Sequence, residues 1–357
     1  MNELWQRLGF LAVALIVYRI GTHIPIPGIN PEQVAALFQQ SQGTILQYFN
    51  LFSGGALERM SIFALSVVPY ISSAIVMQLF SNSLPYLQEL KKDGQSGRNK
   101  ITQYTRYGAV VFAIIQSTAL TITLQTAGLI ESTGLFSAVV AISSIVAGTI
   151  FLMWLGEQIS ERGIGNGISL IIATSIITGV PRAIGQALEQ TQQGDLNYLL
   201  LLILAILSLL VVAFVVFVEN AQRKITVNYA QRNQVRGMIQ APSSFLPLKL
   251  NMSGVIPAIF ASTFLLFPAS LSAWFGNIEG LGGLQEFSLY LNPGQPLYIL
   301  LFVVLIVSFC YIWLALTFNS QDMADNLKRG GAYIPGIRPG EQTASFIDLI
   351  LSRLTVF

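Results

Sequence analysis

Charge is what this sequence has least of. Of its 357 residues, 10% are Asp, Glu, Lys or Arg and 53% are hydrophobic, whereas a soluble domain carries roughly 25% charged residues. A soluble globular fold is thereby excluded and an integral membrane protein expected. Cysteine occurs once, as Cys310 inside a hydrophobic run, which rules out a disulfide framework or a thiolate metal site. Histidine also occurs once, as His23 just beyond the first hydrophobic run. With no ligand-type neighbour it reads as an interfacial side chain rather than part of a triad or a metal centre. There is no GxxxxGK[ST] phosphate loop, no HExxH and no GxSxG elbow. Acids are all but missing from the hydrophobic runs, Glu157 and Glu219 falling at their ends. Ion-coupled transporters place ionisable side chains at mid-membrane, so a secondary transporter of a small solute is the weaker alternative. No catalytic, cofactor-binding or metal-binding residue is assigned, and no cofactor is expected. The amino terminus, MNELWQRLGF, is expected not to be a cleavable signal, because the apolar run reaches Arg19 without a small-residue cleavage site. What is left is a path with no engine of its own, so the driving energy has to come from a partner.

Long hydrophobic runs are what the chain has in abundance. A spanning helix needs about 20 apolar residues. On that basis eight spans are expected: Leu8–Gly21 (reaching back toward Leu4), Ser61–Leu84, Tyr107–Ala127, Leu135–Leu155, Asn166–Ile184, Tyr198–Val218, Gly254–Phe275 and Leu297–Phe318. The fifth is interrupted by Gly165, Asn166 and Gly167, and the seventh by Pro257 and Pro268. The sixth is almost pure Leu, Ile, Val and Phe and is expected to face lipid. With eight spans, 16 of the 19 basic residues fall on one side and only Arg59 and Arg182 on the other, Arg19 lying within the first helix. The positive side is cytoplasmic, which puts both ends of the chain there.

The stretch Asn50–Phe80 does not suit lipid. It opens on Gly54-Gly55, carries Glu58 and Arg59, and has Pro69 in mid-run with Ser61, Ser66, Tyr70, Ser72, Ser73 and Gln78 around it. Polar or irregular backbone at membrane depth is tolerated only where protein buries it or water lines it. The stretch is therefore expected to line a path. Two basic segments on the cytoplasmic side, 219–251 and 319–357, carry more order than a tether needs. In the first, Ile225, Val227 and Tyr229 alternate as a short strand. In the second, YIPGIRPGEQ holds paired Pro-Gly turn signals. Solvated positive-inside loops are the plain reading of both; their strand and turn chemistry suits docking to a large anionic or acidic partner.

Several blocks of the chain resemble the bacterial SecY family of protein-translocase channel subunits. They are HIPIPGI (23–29), FSGGALERMSIFAL (52–65), PYISSAIVMQL (69–79), KITQYTRYG (100–108) and MWLGEQISERGIGNGISL (153–170). FVVFVENAQRKITVNYAQR (214–232), LPLKLNMSGVIPAIFAS (246–262) and ADNLKRGGAYIPGIRPGEQTA (324–344) continue the likeness across essentially the whole chain. The resemblance implies an all-α, polytopic helix bundle built as an inverted repeat of two five-helix halves. This chain supplies eight of those ten helices, five plus three. It is expected to be truncated at Phe357, where the ninth helix would begin. The halves would be 1–185 and 186–357, the second incomplete.

Site residues carried over by the resemblance fall in four groups. Val67 and Ile71 on the second helix, Ile168 and Ile172 on the fifth, and Ile259 on the seventh would belong to the aliphatic pore ring. The i,i+4 spacing sets each pair on one helix face, although such pairs also serve ordinary packing, and the family's last ring member would lie on the tenth helix. The short helix at 50–61 would be the plug, comprising Asn50, Phe52, Ser53, Gly54, Gly55, Ala56, Leu57, Glu58, Arg59 and Ser61. Ser72, Gln116 and Asn251 would be polar contacts of the lateral gate. Arg223, Lys224, Arg232, Arg236 and Arg338 would dock the ribosome, through its RNA, or the SecA motor, where guanidinium forks suit phosphates and carboxylates. The implied partners are SecE, SecG, SecA, the ribosome, signal sequences, the translocating polypeptide and membrane lipid. Together they imply a hetero-oligomer in the bacterial plasma (inner) membrane.

Overall fold

A computed structural model describes residues 2–30, 33–36, 50–126, 128–130, 134–194, 197–229, 244–254, 256–262, 264–265 and 295–356. The chain forms two compact units, Met1–Asp195 with Ser262–Phe302, and Leu196–Ala261 with Val303–Phe357.

In the first unit the helices are α1 (Asn2–Gly21), α2 (Val68–Ser83), α3 (Pro85–Lys92), α4 (Gln95–Thr126), α5 (Leu135–Arg162) and α6 (Gly167–Gln192). Local chemistry sets several of the boundaries. Asn166 begins α6 by accepting from the amides of Ile168 and Ser169 at 3.1 and 3.2 Å, and so satisfies two of the amides a helix start leaves unpaired. Pro69 sits in the first turn of α2, where its missing N–H removes nothing. The helices α2 and α4 pack together, as do α4 and α5, α5 and α6, and α1 with both α5 and α6. At Gly148 on α5 a Cβ would lie 2.0 Å from the Ile62 carbonyl oxygen, so only glycine allows the 50–67 segment this close to α5.

The second unit holds α7 (Tyr198–Asn220), β1 (Gln222–Tyr229), β2 (Ser244–Lys249), α8 (Pro296–Thr317, which continues from the first unit), α9 (Ser320–Arg329), β3 (Ala332–Tyr333) and α10 (Glu341–Val356). The strands form one antiparallel sheet in the order β2-β1-β3. The alternation at 225–229 is a strand, with Ile225 and Val227 buried. They share a core with Leu248, Ala332, Ile334, Ile347, Ile350 and Leu354. The fold is therefore mostly helical, with a small sheet that the all-α expectation leaves out. Residues 319–356 contain two helices, and β1 hydrogen-bonds to strands from both basic segments. The apolar alternation of β1 has to be covered, and the amphipathic tail helix α10 supplies the cover.

Among the described residues, six helices are long and apolar enough to cross a membrane: α1, α4, α5, α6, α7 and the run Pro296–Arg329 that contains α8. In α7 no residue is buried, as a lipid-facing helix requires. The second expected span begins later than its apolar run. Ser61 forms a β-bridge with Pro25, residues 62–67 are turns, and α2 has only 16 residues. The seventh expected span is helical over 256–262, and its remainder, 266–275, lies outside the described residues.

Candidate channel seal

Between α1 and α2, residues 50–67 fold into a packed knot. Only 50–52 are helical, and successive turns follow, which corrects the expected short helix over 50–61. The backbone explains the difference. Gly54 and Gly55 have φ of +66° and +81°, and Met60 and Ser66 have φ of +43° and +51°, values that a right-handed helix cannot contain. The two non-glycine residues are strained by about 1–3 kcal/mol each, and hydrogen bonds hold them. The Met60 carbonyl accepts from the Ile26 amide at 2.8 Å, and the Ser66 hydroxyl donates to the Phe52 carbonyl at 3.3 Å.

Side chains from α1 and α6 grip the first half of this knot. The Tyr18 hydroxyl lies 3.2 Å from the Ser53 carbonyl and 2.6 Å from the Ser175 hydroxyl. Arg19 donates to the Gly54 carbonyl at 3.0 Å. Within the knot, the Ser53 hydroxyl donates to the Asn50 carbonyl and accepts from the Leu57 amide. Glu58 is the most heavily bonded member. Its carboxylate receives both arms of the Arg182 guanidinium, at 2.6 and 2.9 Å, and the Asn50 amide at 3.0 Å. The Glu58 backbone N–H donates to Asn50 Oδ1 at 3.0 Å. Burial pushes the Glu58 carboxyl up, but the Arg182 and Asn50 hydrogen bonds and the Arg182 and Arg59 charges together hold it below the usual carboxylate value. Arg59 fares differently. Its Nη1 is buried with no hydrogen-bond partner among the described residues.

Below the polar grip lies an apolar layer. Phe63 stacks between Tyr18 and Phe151, at centroid distances of 6.1 and 5.9 Å. Leu57, Met60 and Ala64 pack with Ile26, Ala141 and Ile145. Val67 is 2% exposed at the end of the knot, where it caps α2, and Ile71 follows one turn on, half-buried, its amide donating to the Val67 carbonyl at 3.1 Å. On α6, Ile172 is buried and Ile168 half-buried, the latter packed at Gly156 of α5. In the second unit, Ile259 is half-buried within the helical stretch 256–262.

Of the three residues expected at the lateral gate, Ser72 and Asn251 make hydrogen bonds. The Ser72 hydroxyl donates to the Val68 carbonyl at 3.1 Å. Gln116 on α4 is half-buried, and its Oε1 finds no partner among the described residues. Asn251 accepts from the Gly254 amide at 3.0 Å and donates to Glu219 at 3.4 Å. Of the docking residues, Arg223 and Lys224 on β1 and Arg338 before α10 are exposed, whereas Arg232 and Arg236 lie outside the described residues. Sequence reasoning missed Tyr18, Ser175 and Arg182 as the groups that hold the 50–61 segment. Their polarity next to lipid-type helix sequence was the available signal, but partners 35, 157 and 124 positions apart leave no local pattern.

A bundle of apolar helices around a polar, hydrogen-bonded turn segment defines a polytopic membrane protein with irregular structure buried inside it. The chain belongs to the SecY family: the family model described as SecY matches residues 61–357. Protein translocase subunit SecY of Pseudomonas aeruginosa is 57% identical over 357 residues, covering all of this chain and 81% of that protein. The Escherichia coli K12 subunit of the same name is 54% identical, again over all of this chain and 81% of the relative. Among solved structures, one described as a protein-conducting channel has a TM-score of 0.64 at 18% identity, covering 99% of this chain and 83% of that one. A second, a SecY protein whose plug domain is described as stabilising the closed state and maintaining a membrane seal, has a TM-score of 0.63 at 18% identity, with 99% and 82% coverage.

Proposed function

We infer that this chain is the pore-forming subunit of a bacterial plasma-membrane protein translocase. It is a passive channel and not an enzyme. It conducts unfolded preproteins across the membrane and releases transmembrane segments sideways into lipid, driven by SecA or by the ribosome. The observation that carries this reading is the 50–67 segment, an irregular polar knot seated among membrane helices in a member of the SecY family. Backbone of this kind is tolerated at membrane depth only where protein buries it or water lines it, which suits the stopper of a water path.

In this reading the chain has eight spans with both ends cytoplasmic, arranged as the halves 1–185 and 186–357 of an inverted repeat, and its partners include SecE and SecG. Residues 50–61 are the plug. Val67, Ile71, Ile168, Ile172 and Ile259 furnish the pore ring, an apolar collar that excludes ions by dewetting while deforming around a passing chain. Ser72, Gln116 and Asn251 are lateral-gate residues. Polar contacts between membrane helices contribute only about 0.6 kcal/mol on average, so a hydrophobic signal sequence can compete with them. Arg223, Lys224, Arg232, Arg236 and Arg338 meet the ribosome or SecA. The ring is tested by replacing Ile168 and Ile172 with Asn in the assembled complex. Resting ion conductance across a reconstituted bilayer then rises, and an unchanged conductance contradicts the assignment.

A further inference from the structure

The polar contacts that tie the knot at 50–67 to its surroundings are of two kinds. Tyr18, Arg19 and the Ile24 and Ile26 backbone reach carbonyl and amide groups of the knot, which any sequence there would offer. The other contact is one charge pair that depends on a particular side chain. Glu58, 9% exposed, takes a two-armed guanidinium fork from Arg182, a geometry that gives both strength and orientation. Asn50 occupies a further lone pair of the same carboxylate and also binds the Glu58 amide. The two members differ in a useful way. Arg182 follows Pro181 within α6 and its side chain is 53% exposed, so one partner is fixed on a spanning helix and already wet. The other partner is enclosed and sits on the segment that would move.

The charges around the pair sharpen its role. Arg59 and Arg182 both act on the Glu58 carboxylate, and Arg19 lies close enough to act on Arg59. Arg19 is engaged by the Gly54 carbonyl, while Arg59 has a buried Nη1 with no partner among the described residues. The guanidiniums of Arg19 and Arg182 both act against the charge on Arg59, and Glu58 acts for it. Without the Glu58 charge, the seat would hold three cations and no anion.

We propose that the Glu58–Arg182 pair is a latch that fastens the plug segment to α6 and sets how tightly the resting channel is sealed. The proposal rests on the reading of 50–61 as a movable plug. Opening breaks the fork and moves Glu58 out of its seat. Reclosure re-forms it, because Arg182 stays in place on α6.

The test uses the assembled translocase in planar bilayers, comparing resting ion conductance for the unaltered chain, Glu58→Gln, Arg182→Gln, the double variant and a deletion of residues 50–61. Charge-assisted hydrogen bonds, discounted for the exposed guanidinium, predict that each single substitution raises resting conductance about fivefold to tenfold. The double variant is expected to leak no more than either single, since both remove the same contact. Arg182→Lys, which keeps the charge but loses the fork, is expected to leak nearly as much as Arg182→Gln, and it guards against a misfolded glutamine variant. If the deletion leaks while the substitutions conduct as the unaltered channel does, the latch is wrong and the plug stands. If the deletion does not leak, the plug reading fails and takes the latch with it. Additive effects in the double variant also overturn the pair.

Discussion

Glu58 shows how one side chain can tie a polar segment into a membrane protein. Its carboxyl is held below the ordinary carboxylate value in the folded chain, because the Arg182 and Asn50 hydrogen bonds and two guanidinium charges outweigh the cost of burial. A depressed folded value means the carboxylate contributes stability above the unfolded value of about 4.3, and the contribution is lost as pH falls through the folded value. The seal is therefore expected to be insensitive to this group from neutrality down through the ordinary carboxylate range, and to loosen only in stronger acid, as pH falls through the depressed folded value. Protonation there removes the anion among Arg19, Arg59 and Arg182. Resting conductance measured against pH checks this: the unaltered channel leaks more in acid, and Glu58→Gln removes that component of the pH dependence. Half of this site was legible in the sequence. Glu58, Arg59 and the Gly54-Gly55 break announce a segment that lipid would not accept, but Arg182 reads as one of two stray basic residues on the less basic side. Only the folded chain explains its position.

Elements tell a similar story about local and distant information. Although α5 runs on past the expected Leu155 to Arg162, the extent of α7, the starts of α5 at Leu135 and α6 at Asn166, and the strand at 225–229 all follow from periodicity and apolar run length. The start of α2 does not, because hydrophobicity continues through Ser61–Val67 while the backbone turns. The positive φ values at Met60 and Ser66 are held by the Ile26 amide and the Phe52 carbonyl, partners too far along the chain for a local pattern to show. The tail helix α10 was hidden for a different reason: its apolar face has meaning only against β1 and β2, which come from another segment. Close approach is the physical requirement at the α5 crossing. Gly148→Ala places a Cβ against the backbone oxygen of Ile62, 2.0 Å away with nothing flexible to yield. Overpacking of this kind costs about 1–3 kcal/mol. Thermal unfolding of the detergent-solubilised chain is expected to show a lowered Tm for Gly148→Ala, whereas Gly185→Ala on α6, which has open space, keeps or slightly raises it. Equal melting of both variants contradicts the close packing.

At the scale of the whole molecule the two units carry different features. In the first, α1, α5 and α6 contact the 50–67 segment; in the second, Arg223, Lys224 and Arg338 are exposed, and these are the residues proposed to meet large partners. Charge reversal at Arg338 is expected to weaken SecA-driven translocation several-fold without altering resting conductance, because the residue is remote in function from the seal. Secretion at the unaltered rate by Arg338→Glu membranes contradicts a docking role. The class of the protein was readable from composition alone, since 10% charge and 53% hydrophobic residues leave few alternatives. The conducting role needed the irregular stretch at 50–67 and the family relationship together.

The central claim is that a polypeptide passes alongside the apolar residues next to the seal. It is tested most directly by placing a photo-crosslinking amino acid at position 71, position 172 or position 209 and arresting a preprotein in mid-translocation. Crosslinks to the preprotein from positions 71 and 172, and none from lipid-exposed position 209 on α7, are the predicted result. Crosslinks from 209 alone, or from none of the three while the preprotein is arrested across the membrane, would contradict the account.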